Sequence, residues 1–309
     1  MTSISAEAEQ HSAGERGAHR RAILLMVCAA TLWSMAGVVT RNLSPALQAE
    51  GRFEITFWRS FFAAVFVAGY LVAFRREGLR PVFAGGAASW ISGSAWAVMY
   101  VAFMLALTLT TVANTLLVMS VGPLLTALLA WLVLGTRIAR RTWLAIAVAM
   151  AGMAWMFTHG ATAAGSASHL LGMAIAFAVP MASAINLVTL QKTRARLDLV
   201  PAVFLGGAIS AALMLPLALP FKAAPADVLL LAALGFFQLG LPCMLMVAAA
   251  RHLAAPEIAL LALLEVVLGP LWAWLGAGEV PATATLAGGA LVLLALAANE
   301  IAALRRRES

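Results

Sequence analysis

One acid, Glu265, stands about nine residues inside an apolar stretch running from roughly 256 to 276. An ionised carboxylate that deep in hydrocarbon costs several kcal/mol unless it is paired, hydrated or protonated. Its type and depth therefore offer two chemistries, carrying a coupling proton or binding the amine of a substrate. The structural alternative is a neutral carboxyl that locks two helices. Between about 82 and 106, Ser89, Ser92, Trp96, Tyr100 and Phe103 recur at intervals of three or four, which puts them on one helical face. Rings with polar tips suit the wall of a cavity for a zwitterion with a bulky side chain. The alternative is a helix that packs its small residues inward and leaves Trp96 in lipid. Trp33 and Ser34 in the first apolar window, and Trp272 two turns beyond Glu265, extend that wall. As aromatics, the two tryptophans equally suit an interfacial belt.

Two amides, Asn186 and Gln238, lie at depths where unpaired polar groups are penalised. They must either bond across helices, the commoner fate, or line water. Arg59 lies only about one and a half turns inside the second window. Its stem is expected to snorkel to the outer headgroups, making it an anchor rather than a site residue. Pro123, Pro180, Pro242 and Pro270 fall within windows, where each removes a backbone hydrogen bond and permits a kink or a break.

Enzymatic chemistry lacks its residues. His159 and His169 have no HExxH pairing or nearby acids and read as surface histidines, and neither a GK[ST] phosphate loop nor a GxSxG elbow occurs. Cys28 and Cys243 both sit in apolar windows, so neither a disulfide framework nor a zinc site of cysteine spacing is expected. No cofactor is implied.

The elements that must position these residues follow from composition. The chain has 309 residues, 63% of them apolar and 11% charged, with a mean hydropathy of +0.96. Soluble domains average near half and a quarter, so the main solvent is a bilayer. Ten windows of about spanning length run near 22–40, 54–74, 82–106, 112–134, 142–158, 168–190, 200–220, 227–250, 256–276 and 283–303. The net charge of +7 does not mark a nucleic-acid partner, because the basic residues cluster between windows. If every window spans, 16 of the 20 basic residues share one side, against Arg41, Arg52 and Lys222 on the other. By the positive-inside rule both termini are cytoplasmic and the loop from Thr162 to Ser168 faces outward. Residues 1–21 read as a disordered tail and 304–309 as a basic one. Few lysines, many arginines and heavy alanine usage point to a bacterial inner membrane.

Shifting Ala113–Gly135 by 143 onto Pro256–Gly278 superposes Trp131 on Trp274 and Gly135 on Gly278. Two repeats of five helices, 22–158 and 168–303, are therefore expected. An odd number of helices per repeat forces the second copy to insert upside down, a signature of alternating-access transporters with substrate at the midplane.

TLWSMAGVVTRNLSP, ITFWRSFFAAVF and the block YVAFMLALTLTTVANTLLVMSVGPLLTALLAWLVLG resemble an EamA repeat of the drug/metabolite transporter superfamily, and LALLEVVLGPLWAWLGAGEVPATATLAGGALVLL is similar to its second copy. Thr136 departs from the family pattern where the first repeat usually carries an acid, and Val266 where a proline often follows the glutamate. Within the superfamily the chain is similar to the amino-acid-exporting, YddG-type branch. The resemblance implies an all-α secondary transporter that exports neutral or aromatic amino acids or similar small metabolites. Its partners would be that substrate, the lipid bilayer and, as a coupling ion, the proton; no oligomer is required. Other small-molecule classes, such as drugs, nucleosides or quaternary amines, remain alternatives. So do a non-transporting structural subunit, which would lack a central cavity, and a membrane-embedded transferase or lipid-handling enzyme, which would need paired acids. The expected substrate wall comprises Trp33, Ser34, Ser92, Trp96, Tyr100, Phe103, Asn186, Gln238, Glu265 and Trp272, with Glu265 also the coupling residue.

Overall fold

The computed structural model describes residues 2–75, 78, 80–135, 140, 143–145, 147–148, 151–152, 155, 167–193, 198–283, 286–288, 290–291, 293–295 and 298. Within these, eight helices are long and apolar enough to cross a membrane. They are α1 (Gly17–Arg41), α2 (Arg52–Phe74), α3 (Gly86–Leu109), α4 (Val112–Leu134), α5 (Ala167–Thr193), α6 (Val200–Ala218), α7 (Pro225–Ala249) and α8 (Ala255–Ala277). They match the first four and the sixth to ninth expected windows. The fifth and tenth windows are only partly described, and Thr136, His159 and the loop from Thr162 lie outside the described residues. Large apolar side chains such as Val72, Phe74, Leu217 and Leu275 point outward. That is a lipid-facing surface, not a water-facing one.

At its start α1 differs from expectation. The helix runs from Thr2, through residues read as a disordered tail. Ala, Glu, Gln and Arg are strong helix formers, and the span beyond them supplies the nucleus that a short free helix lacks.

Contacts at the helix ends divide the molecule into two faces. Arg41 at the end of α1 bonds Glu279 just past α8 and the Thr110 carbonyl just past α3. Glu54 at the start of α2 receives the backbone N–H groups of Lys222 and Ala223, between α6 and α7. On the opposite face Asp198, before α6, pairs with Arg75 after α2 and Arg251 after α7, and Gln191 near the end of α5 meets the Ala255 N–H that opens α8. So α1 ends on the Arg41 face and α5 on the Arg75 face, while α2 and α6 likewise run oppositely. The second repeat is inverted.

Packing repeats with the same exchange. Helix α3 lies on α5 and α6 as α7 lies on α1 and α2, α4 lies on α5 as α8 lies on α1, and α2 crosses α6 on the pseudo-two-fold. Even the terminators repeat: Gly135 and Gly278 close α4 and α8 in the left-handed conformation, with φ of 69° and 68°, where glycine has no Cβ to clash. Two interior glycines set the helix separations near the centre. A Cβ on Gly206 would collide with Trp96 Cβ, and one on Gly235 would sit 2.7 Å from the Arg59 carbonyl. Only a bare backbone lets α6 approach α3, and α7 approach α2, this closely.

Three spans are irregular at mid-depth. Helix α1 has a turn at Met35, α4 is interrupted at Ser120–Val121 ahead of Pro123, and α7 contains a π-helical segment, Leu234–Gly240, ahead of Pro242. Pro180 and Pro270 sit inside continuous helix.

Candidate functional site

The irregular stretches converge on a cavity of about 120 Å³ between the two repeats. On this measure a single water needs only about 10–15 Å³, so the space suits a small organic molecule. Helix α3 contributes Trp96, Tyr100 and Phe103, the face expected from their spacing, and all three are buried from lipid. Helix α1 adds Trp33, α7 adds Gln238 and Cys243, and α8 adds Glu265. Met99, Met119 and Met246 fill gaps with flexible, polarisable side chains.

The polar chemistry is gathered by Gln238. Its Nε2 donates to the Trp33 carbonyl at 3.0 Å, beside the turn in α1, and its Oε1 accepts from Arg59 Nε at 2.9 Å. One amide thus ties α7 to both α1 and α2. The π-helical turn explains how it reaches them: Pro242 has no N–H to return to the Gln238 carbonyl, and the wider turn carries the side chain inward. The Arg59 guanidinium also stands 5.4 Å from the centre of the Phe103 ring, a cation–π contact. Two buried donors on this lining, Arg59 Nη1 and Trp96 Nε1, find no hydrogen-bond partner among the described residues.

Arg59 overturns the expectation made for it. It is 2% exposed and does not reach the headgroups. Depth alone suggested snorkelling, but the face decides. Ile55, Arg59, Ala63, Val67 and Leu71, each four residues apart, form one buried stripe of α2, and a side chain on that stripe points into the bundle.

Of the ten residues expected at the site, Trp33, Trp96, Tyr100, Phe103, Gln238 and Glu265 line the cavity. Ser34, Ser92, Asn186 and Trp272 stand behind it. Ser92 Oγ donates to Asn186 Oδ1 at 2.6 Å, joining α3 to α5, and Trp272 Nε1 donates to Ser34 Oγ at 3.1 Å, joining α8 to α1. These bonds run between helices and take the four side chains off the wall. His169 is half-buried and bonds Thr110 Oγ1 at 3.0 Å. No metal-holding group of His, Cys, Asp or Glu occurs among the described residues.

The lining extends from mid-depth toward the Arg75 face, through Leu187, Met246 and Ile258. Toward the Arg41 face a packed cluster including Leu47, Ile55, Leu107 and Leu116 closes it. Above that cluster Glu279 accepts from Arg41 Nε at 2.7 Å and from the Val112 N–H at 2.6 Å, fastening the end of α8 to α1 and to the start of α4.

The model of the EamA-like transporter family matches residues 20–158 and again residues 170–299. A crystal structure described simply as that of a protein superposes with a TM-score of 0.65 at 20% identity, covering 91% of this chain and 97% of its own. At that identity the likeness concerns the fold alone. No curated protein matches the chain.

Proposed function

The chain belongs to the EamA-like transporter family, and from that membership we propose that this multi-pass membrane protein exports neutral amino acids, aromatic ones included, by alternating access. The observation that carries the reading is the character of the central cavity. Rings from Trp33, Trp96, Tyr100 and Phe103 meet one amide, Gln238, and one acid, Glu265. Selective pockets are largely apolar with a few orienting polar groups, and this combination fits an apolar side chain carried on a polar head. The two repeats would rock about the cavity, releasing the Arg41–Glu279 fastening as the Arg75 face closes. Charge asymmetry supports both termini being cytoplasmic, and few lysines, many arginines and heavy alanine usage support a bacterial inner membrane.

Glu265 is the proposed proton carrier, because it is the one acid on the lining among the described residues. Uptake of labelled amino acids, nucleosides and quaternary amines into proteoliposomes tests the substrate class. Preference for nucleosides or quaternary amines over amino acids would overturn it. A pH gradient should drive accumulation by the wild type and not by Glu265→Gln, which keeps the shape and removes the charge. Equal driving of both would leave Glu265 outside the coupling step.

A further inference from the structure

The cavity holds more hydrogen-bond donors than the protein uses. Trp96 Nε1 can only donate, and so can Arg59 Nη1. Both are buried on the lining without an acceptor among the described residues. An unmade hydrogen bond at a buried donor costs the full desolvation of that group, and more when the group is charged. The guanidinium is the sharper case. Its Nε is fixed by Gln238 and its plane is steadied by Phe103, yet it forms no ion pair with a carboxylate among the described residues. Glu265 lines the same cavity within electrostatic reach of Arg59 but does not touch it. A guanidinium and a carboxyl are thus held apart across a space large enough for a ligand.

We propose that Arg59 is a substrate-binding residue. Its Nη1, with Trp96 Nε1, receives a carboxylate of the transported molecule, while Glu265 faces the ammonium of the same head group. The ligand then completes an ion pair that the protein leaves open, and the substrate class narrows to small zwitterions bearing a carboxylate. This rests on the amino-acid reading above and adds the residue that selects the carboxylate. Gln238 acts through Arg59 as a positioning residue. By contrast, a structural Arg59 would be indifferent to the ligand's carboxylate.

Four probes sharing one ring separate these roles: phenylalanine, 3-phenylpropionate, phenethylamine and 2-phenylethanol, titrated calorimetrically into the full-length protein in nanodiscs. A site built around a buried polar partner rejects analogues that lack it by several orders of magnitude. In the wild type, phenylalanine should bind at least a hundredfold more tightly than phenethylamine. Arg59→Gln should lower phenylalanine to the level of phenethylamine and leave phenethylamine unchanged, and Arg59→Lys should recover part of the loss. Phenethylamine or phenylethanol binding the wild type as tightly as phenylalanine overturns the proposal without requiring any variant to fold. It is equally overturned if Arg59→Gln weakens all four probes alike. If 3-phenylpropionate binds as well as phenylalanine and depends on Arg59, the carboxylate anchor stands and the amino-acid reading falls. Binding of none of the four overturns both.

Discussion

Gln238 spends both ends of its amide on other helices, so its loss should be felt in stability and in transport together. Gln238→Leu removes a hydrogen bond to a charged group, worth about 1.5–3 kcal/mol, and strands Arg59 Nε. Thermal unfolding in detergent should show a lowered Tm, and transport should fall for large and small substrates alike. Trp96→Ala acts differently, because it removes contact area from one wall. Such a loss is worth roughly 1–3 kcal/mol, or about 10- to 200-fold in discrimination. Large neutral substrates should suffer by that factor while small ones are spared, as competition assays would read. An unchanged preference would remove Trp96 from substrate contact. The acids near the Arg41 face offer a control. Glu54 is buried and accepts the Lys222 and Ala223 N–H groups and Trp58 Nε1. Glu50 is exposed, and its hydrogen bond from the Lys222 ammonium holds its carboxyl below the ordinary value. Glu54→Ala should lower Tm clearly, whereas Glu50→Ala should leave it unchanged, since solvent screens an exposed pair.

The irregular stretches in α1, α4 and α7 are what turn lipid-length helices into parts of a site. In a bilayer a broken helix is tolerated only where it lines a cavity or is buried in protein. All three breaks lie at the centre, where Gln238 takes up the Trp33 carbonyl. The π-helical segment of α7 is the element most exposed to test. Pro242→Ala restores an N–H and allows the ladder to close as a regular α-helix, which would turn Gln238 away from Arg59. Stability should be kept or gained, while affinity for substrate drops. A variant with unchanged affinity would show that the π turn does not depend on Pro242. Gly206→Val is the packing counterpart. With its Cβ forced onto Trp96, α6 cannot seat on α3, and the expected result is loss of folded protein on size-exclusion chromatography.

Across the whole molecule the scaffold is symmetric and the chemistry is not. By the 143-residue shift Glu265 corresponds to Gly122, Gln238 to Ala95 and Arg59 to Ala202. Duplicated helices therefore supply the inverted frame, while one set of positions carries the polar groups on the lining. Alternating access needs only that frame, whereas recognition of one head group needs a single copy of each partner. Orientation can be tested on the intact protein with single cysteines. A membrane-impermeant thiol reagent added to cells should label residue 165 and spare residue 309, because 16 basic residues lie on the side assigned to the termini. Labelling of 309 alone would reverse the molecule.

Hydropathy and periodicity were enough to determine the solvent, the spans now seen as eight helices, the duplication and the ring face of α3. Each is a property of local pattern: length against bilayer thickness, spacing against the helical turn, and an internal shift. The odd count behind the inversion was arithmetic on those patterns, and the helix-end contacts agree with it. Which polar residues face the cavity was decided by tertiary structure. Ser92, Asn186, Ser34 and Trp272 have the right depth and chemistry, but helix rotation pairs them with one another. Arg59 was misjudged for the converse reason. Its depth near one end of α2 suggested headgroups, yet the stripe from Ile55 to Leu71 turns it inward, and a π turn in another helix brings Gln238 to meet it. Depth is written along one helix, whereas a partner is fixed by how several helices are rotated and how closely glycine lets them approach.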